Sequence, residues 1–115
     1  MAITLYGIPN CDTVRKARRY LDEAAIEYRF HDFRKDGLDG ETVSAWLQQI
    51  PLDTLINKRG TTWRALPDNE KAALSIASAQ SLAVAHPAIV KRPVVDWGET
   101  LTVGFDAADW ATRIG

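Results

Sequence analysis

Residues 3–21, ITLYGIPNCDTVRKARRYL, join an apolar strand pattern to a helical pattern and hold the only cysteine of the chain. Ile3–Tyr6 is predicted to form a short strand, which Gly7 and Pro9 close. A helix is predicted over about Cys11–Ala25, because apolar residues recur there at helical spacing: Val14, Ala17, Leu21 and Ala24. The sequence therefore begins with a strand, a tight turn and a helix, and the cysteine lies at the junction.

The middle of the chain is predicted to be mainly helical. The predicted elements are a strand at Tyr28–Phe33, a helix from Asp39 or Gly40 to Pro51, and short helices within residues 52–86, one capped by Asp68 through Leu74 and one capped by Ser78 through His86. Residues 57–68, NKRGTTWRALPD, are predicted to be a polar loop because glycine interrupts a basic run.

Two strands joined by a tight turn are predicted near the C-terminus. Val94-Val95 and Leu101–Phe105 are strand-like, and DWGET links them as an antiparallel hairpin. Asp106 is predicted to cap a last helix that ends at about Arg113. A crossover helix joins parallel strands and a tight turn joins antiparallel ones. The element order therefore predicts the α/β (α+β) class, with a thioredoxin-like four-stranded mixed sheet and a helical insert, as a single domain over residues 1–115.

The composition indicates a globular protein without a strongly charged partner. The 115 residues suffice for one core, with 46% apolar and 25% charged residues. A formal net charge of −1 gives no field that would attract nucleic acid or a membrane surface. No basic leader with an apolar stretch is visible, which argues against a signal peptide. We therefore expect a cytoplasmic monomer that binds neither nucleic acid nor a membrane.

Cys11 has four alternatives: inert packing, half of a disulfide, metal binding and nucleophilic catalysis. A chain with one cysteine cannot form an internal disulfide. Structural zinc needs about four Cys or His ligands in close pairs, whereas Cys11, His31 and His86 are widely separated, so we expect no metal. Free cysteine is often buried and inert, which keeps the packing alternative open.

The position of Cys11 favours the nucleophile. It lies at the predicted helix start, beside unpaired N–H groups and the positive end of the helix dipole, with Arg15 one turn later. These groups stabilise a thiolate and predict that the pKa of Cys11 lies below its ordinary value. The same N–H groups could hold an oxyanion.

Two stretches resemble the ArsC/Spx family, the glutaredoxin-linked arsenate reductases and their relatives. They are LYGIPNCDTVRKARRYL, residues 5–21, and HPAIVKRPVVDWGETLTVGF, residues 86–105. The likeness spans nearly the whole chain and is closest to the short YffB-like branch of thiol reductases. It implies that Cys11 is the nucleophile and that Arg15 lies beside it. It also implies that Arg92 reaches the anion site and that Pro93 is a cis-proline.

The resemblance extends to the insert and includes two departures. In the insert, a further family arginine aligns with Asn57, and Arg59 and Arg64 are close by in sequence. The family's last arginine aligns near Gly104, which predicts weak arsenate reduction. Spx-type proteins often carry a Cys-x-x-Cys switch, but here the second position is Val14.

The sequence as a whole therefore predicts a glutathione-dependent thiol/disulfide reductase that uses a single cysteine. It would bind no cofactor, take glutathione as a co-substrate, and have glutaredoxin as a further partner. Two alternatives remain: an Spx-like regulator that binds RNA polymerase without catalysis, and a true arsenate reductase.

Overall fold

The computed structural model describes residues 2–114, which form four strands and seven α-helices. The strands are β1 (Thr4–Gly7), β2 (Arg29–Asp32), β3 (Val94–Asp96) and β4 (Leu101–Val103). The helices are α1 (Asp12–Glu23), α2 (Gly40–Leu47), α3 (Leu52–Leu55), α4 (Thr61–Arg64), α5 (Asp68–Ala72), α6 (Ile76–Ala85) and α7 (Ala107–Ile114). A 3-10 turn covers Pro87–Ile89.

The four strands form one mixed sheet in the order β2-β1-β3-β4. β1 and β2 are parallel, with Leu5 opposite Phe30, as a crossover connection through α1 requires. β3 is antiparallel to both β1 and β4, and Leu5 also lies opposite Val95. The predicted α/β class and thioredoxin-like sheet are therefore confirmed.

The chain divides into two compact units, each with its own apolar cluster. The sheet unit comprises residues 2–36 and 92–114, and the insert unit comprises residues 37–91. The insert cluster is centred on Ile56, Trp63, Leu66 and Ile89. That all 115 residues make one domain stays a prediction.

The core of the sheet unit lies between the sheet and the helices α1 and α7. The apolar stripe of α1 is fully buried there, as the spacing of Val14, Ala17 and Leu21 predicts. Trp110 of α7 meets Trp97 edge to face, with ring centroids 5.1 Å apart. The ring of Phe105 also packs against Trp110, with ring centroids 4.7 Å apart. This packing fixes the axis of α1, and with it the position of the residue that begins the helix.

Gly7 marks the closest approach between β1 and α1. A Cβ built at Gly7 would lie 2.7 Å from Cγ2 of Val14, which is inside van der Waals contact. Only glycine therefore allows the strand end and the first turn of the helix to come this close. The turn between them brings Cys11 N to 3.2 Å from the carbonyl of Ile8.

The last residue of β2, at the outer edge of the sheet, is capped by the loop that follows it. The N–H of Asp32 donates to Oδ2 of Asp36 at 3.1 Å, and the Asp36 N–H donates to the Asp32 carbonyl at 2.7 Å. The Arg34 N–H donates to Oδ1 of Asp32 at 2.8 Å. These bonds satisfy backbone groups that a further strand would otherwise use.

Three sequence predictions in the insert unit were wrong in detail. Residues 57–68 contain the helical turn α4, because burial of Trp63 on the insert cluster orders a stretch that reads as loop. α6 is capped by Ser75, and Ser78 closes the capping box from inside the helix. α5 ends at Ala72, and Pro67, not Asp68, is its N-cap.

Candidate active site

Cys11 is the N-cap residue of α1. Its backbone is extended, with φ −90° and ψ 128°, and its carbonyl accepts the first helical hydrogen bond from Arg15 N at 2.9 Å. Its side chain is partly buried against the core of the sheet unit. The thiol is therefore held between the core and solvent, at the positive end of the helix dipole.

The surroundings of Cys11 lower the pKa of its thiol. Burial is the largest single influence and raises the pKa, because desolvation penalises the charged form. The N–H of Val14, the guanidinium of Arg92 and the N–H of Thr13 act in the opposite direction. Together they outweigh burial, so the net direction is downward. Sγ does not accept a capping hydrogen bond of standard geometry. The nearby N–H groups of Thr13 and Val14 nevertheless stabilise the negative charge of the thiolate.

Arg92 is the guanidinium that acts on the thiol, through a hydrogen bond and through its charge. It precedes Pro93, which is buried at the start of β3, and the Arg92–Pro93 peptide is cis. The predicted cis bond is confirmed. Arg92 is 81 positions from Cys11 along the chain, and pairing of β1 with β3 brings the two together.

Arg15 makes a different contact from the one expected. Its Nη2 donates to Oδ1 of Asp12, the residue that follows Cys11. Asp12 and Arg15 are three positions apart on the exposed face of α1, where their side chains meet. The cation that is near the thiol in sequence is thus bound to a carboxylate, and the cation that lowers the pKa of the thiol comes from the segment just before β3.

Gly104, near which the resemblance aligns a last arginine, has a left-handed backbone. Its φ is +85°, a conformation that side-chain-bearing residues rarely adopt. Its N–H donates to the Pro93 carbonyl at 2.8 Å. The peptide unit beside the cis-proline is therefore tied to a residue whose conformation favours glycine.

Two of the three candidate residues of the insert share a basic pocket within the insert unit. Asn57 and Arg59 line a cavity of about 390 Å³ together with Asp53, Lys58 and Lys91. Lys58 Nζ lies 2.9 Å from Oδ1 of Asp53, and Oδ1 of Asn57 accepts a hydrogen bond from Arg59 N at 3.2 Å. Arg64 lies outside this lining, exposed at the end of α4. The pocket has the charge to hold a carboxylate or a phosphate.

Thr13, Val14 and Asp12 belong to the site but were not among the predicted site residues. Thr13 and Val14 contribute backbone N–H groups, so their residue types do not reveal this role. The available sequence signal was the predicted helix start at Cys11, because an N-cap residue faces the N–H groups two and three residues later. The i,i+3 spacing of Asp12 and Arg15 was the available signal for their pair.

Within residues 2–114, no group of three His, Cys, Asp or Glu side chains comes together in a way that could hold a metal ion. Among the same residues, no helix combines the length and the apolar content that crossing a membrane requires.

Residues 6–113 match the model of the ArsC family. An uncharacterised protein of Haemophilus influenzae is 40% identical over 94% of this chain and 95% of its own length. The solved structure of the YFFB protein is 40% identical and superposes with a TM-score of 0.95, covering 98% of this chain and 99% of that one. An arsenate reductase (ArsC) related protein from Brucella melitensis is 45% identical, with a TM-score of 0.77 and coverage of 97% and 93%.

A regulator is also among the relatives. The global transcriptional regulator Spx of Listeria innocua is 26% identical over 90% of this chain and 80% of its own length. Similarity to this chain thus extends to proteins named for arsenate reduction and to proteins named for transcriptional control.

Proposed function

This chain belongs to the ArsC family of arsenate-reductase-like proteins, and from that premise we propose that it is a glutathione-dependent thiol/disulfide reductase with Cys11 as its nucleophile. The observation that carries the proposal is the position of Cys11 at the N-cap of α1, where Val14 N–H and Arg92 favour the thiolate. Attack on a disulfide requires a thiolate, and a lowered pKa increases the fraction of Cys11 that is thiolate at a given pH.

The proposed reaction takes two exchange steps. The Cys11 thiolate attacks the glutathione sulfur of a mixed disulfide R–S–S–G. This forms a Cys11–S–S–G bond and releases R–S⁻, which takes a proton from water. A glutathione thiolate then attacks the glutathione sulfur of Cys11–S–S–G, which regenerates the Cys11 thiolate and releases oxidised glutathione. The mixed disulfide is reduced by two electrons, and two glutathione units leave as their disulfide.

An external thiol is part of the proposal because the chain has one cysteine. No second cysteine can resolve the mixed disulfide within the molecule. Glutathione fills that role directly, and glutaredoxin is a further candidate for recycling. These reductants belong to a reducing compartment, so the proposal includes a cytoplasmic location. It also includes action as a monomer that needs neither nucleic acid nor a membrane.

Arginines supply the proposed anion contacts. Arg92 is assigned to the carboxylate nearest the reacting sulfur, with Pro93 presenting the adjoining backbone. Arg15, in the first turn of α1, is assigned as a second cation for the same anion. Asn57 and Arg59 are assigned to a more distant carboxylate, because they line the basic pocket of the insert unit. Arg64 is kept as the weaker candidate of the insert.

The decisive experiment is mass spectrometry of the intact protein after incubation with oxidised glutathione. We expect a mass increase of one glutathione unit in the native chain, no increase in Cys11→Ser, and reversal by reduced glutathione. Turnover is then measured with a glutathionylated peptide and glutathione, coupled to glutathione reductase. A native chain that forms no adduct under these conditions contradicts the proposal.

A substitution in the insert tests the assignment of Arg59. Arg59→Ala should raise the KM for the glutathionylated peptide several-fold and leave kcat nearly unchanged, because a distant carboxylate contact contributes to binding in the ground state and the transition state alike. Arg19→Ala is the matched control, since it removes the same charge from an exposed position of α1 to which no anion contact is assigned. Equal KM values for the two variants would remove Arg59 from the site.

The Spx-like regulator is the second candidate, and the similarity to Spx of Listeria innocua favours it. Val14 stands where the second cysteine of a Cys-x-x-Cys pair would be, and it is fully buried in the core of the sheet unit. A redox switch between these two positions is therefore unavailable to this chain. Titration with glutathione separates the candidates, because a regulator has no need to bind it.

A further inference from the structure

The first turn of α1 carries an ion pair directly after the proposed nucleophile. Asp12 begins the helix, and its carboxylate accepts a hydrogen bond from Nη2 of Arg15. Both side chains are open to solvent, with 84% of Asp12 and 54% of Arg15 exposed. Arg15 follows Cys11 by four positions, one turn along the same face of α1, so an anion that binds at the thiol meets a guanidinium already bound to a carboxylate.

This pair changes the charge that an incoming anion meets. Without Asp12, the first turn would offer Arg15 to an oxyanion in addition to the backbone N–H groups. With Asp12 in place, the oxyanion must displace the carboxylate from Arg15 or bind without that guanidinium. The attraction that is lost grows with the charge of the ligand, because Coulomb energy scales with the product of the two charges. A dianion is therefore disfavoured more strongly than a neutral or singly charged group.

The other cations of the site do not compensate. Arg92 already stabilises the thiolate, so it attracts an incoming dianion less than an unengaged guanidinium would. At Gly104 a φ of +85° disfavours an arginine. A multiply charged oxyanion thus meets a first turn whose cation is neutralised and a strand end that favours glycine.

We propose that Asp12 is a specificity-determining residue that neutralises Arg15. It thereby disfavours binding of multiply charged oxyanions at Cys11, relative to disulfides that carry no charge next to the reacting sulfur. The reacting disulfide rests on the proposed function, whereas the charge effect of Asp12 is a matter of binding alone. The substrate class follows from it: a disulfide whose charged groups lie away from the sulfur that Cys11 attacks.

Protection of Cys11 by inorganic phosphate tests this proposal without any turnover. The rate of alkylation by iodoacetamide is measured at fixed pH and low ionic strength against phosphate concentration. The concentration that gives half-protection is compared between the native chain and Asp12→Asn. For each variant, the reaction rate with the uncharged disulfide of 2-mercaptoethanol serves as the reference.

We expect Asp12→Asn to lower the half-protecting phosphate concentration about three- to tenfold, since an exposed pair and one nearby charge each contribute modestly. The reaction with the uncharged disulfide should change less than that. Asp12→Glu should behave like the native chain, and Arg15→Gln should cancel the gain in a double variant. Asp22→Asn, which removes the same charge from the far end of α1, is the matched control.

Two results overturn the proposal. One is equal half-protection in the native chain and Asp12→Asn, with circular dichroism showing that both are folded. The other is a gain that persists after Arg15→Gln, because the effect would then not pass through Arg15. Neither result depends on glutathione, so a failed glutathione assay contradicts the proposed function and leaves the inference about Asp12 to the phosphate measurement.

Discussion

Arg92, the residue before the cis-proline of β3, stabilises the thiolate of Cys11 at the N-cap of α1. The two residues belong to different segments of the sheet unit, Cys11 to residues 2–36 and Arg92 to residues 92–114. A helix N-terminus alone supplies partial charges on N–H groups, whereas Arg92 supplies a full charge and a directed hydrogen bond. Reactivity of the thiol therefore depends on pairing of β1 with β3 as well as on α1.

Removing the Arg92 charge should slow alkylation of Cys11 at neutral pH. Arg92→Gln raises the pKa of the thiol, because the hydrogen bond and the charge that favour the thiolate are lost. The alkylation rate at pH 7 should fall about threefold or more, and its midpoint should move to higher pH. Arg15→Gln is the matched control, since Arg15 is paired with Asp12, and it should move the midpoint less. An equal shift in both variants would contradict the role of Arg92.

The lowered pKa of Cys11 also makes stability depend on pH. Between the folded pKa and the higher unfolded pKa, the unfolded chain holds a proton that the folded chain has lost, so the free energy of unfolding rises with pH. This contribution is complete above the unfolded pKa and disappears as pH falls through the folded pKa. Urea unfolding of the native chain and of Cys11→Ser should show a difference that grows across that window. A difference that is constant with pH would argue against a lowered pKa.

Gly7→Ala should destabilise the fold and disturb the thiol together. The new Cβ would lie 2.7 Å from Cγ2 of the buried Val14, so β1 and α1 must separate. We expect a loss of about 1–3 kcal/mol in the free energy of unfolding, as for overpacking of a core, and slower alkylation of Cys11. Gly40→Ala is the control. Its Cβ meets only Oε1 of Gln80 at 3.8 Å, and alanine is the better helix former at the first position of α2.

Gly104→Arg should not create a strong arsenate reductase. The left-handed φ of +85° penalises any side chain, by about 1–2 kcal/mol per residue. The substitution also disturbs the hydrogen bond to the Pro93 carbonyl. Gly104→Ala should lose the same stability in urea, which separates backbone strain from the arginine. Arsenate turnover, measured with glutathione and glutaredoxin, should stay low in both. Brisk turnover in Gly104→Arg would show that the backbone adapts.

The sequence predicts well where chemistry is local and poorly where it is long-range. Gly7 and Pro9 mark the turn between β1 and α1 in the sequence. Asp106 caps α7 as expected, and its Oδ1 accepts a hydrogen bond from Ala108 N at 3.1 Å. By contrast, the sequence of residues 57–68 does not predict α4, because this helical turn depends on burial of Trp63 in the insert cluster.

The same limit applies at the candidate site. The residues themselves predict Arg15 beside the thiol because it is near in sequence, and this stays a prediction; Arg92, which is distant in sequence, lowers the pKa of the thiol. The likeness to the ArsC/Spx family supplied Arg92, which spacing alone could not. The joint arrangement of Cys11 with Asn57, Arg59 and Arg64 stays a prediction.

The capped end of β2 has a consequence for behaviour at high concentration. An open edge strand can recruit a second chain and seed aggregation. Here the backbone groups of Asp32, at the end of this edge strand, are occupied by Asp36 and are not available to a recruited strand. Asp36→Ala should therefore scatter more light on concentration, whereas the exposed Asp22→Ala should not. A loop carboxylate that takes no part in the proposed chemistry would then contribute to the colloidal stability of this protein.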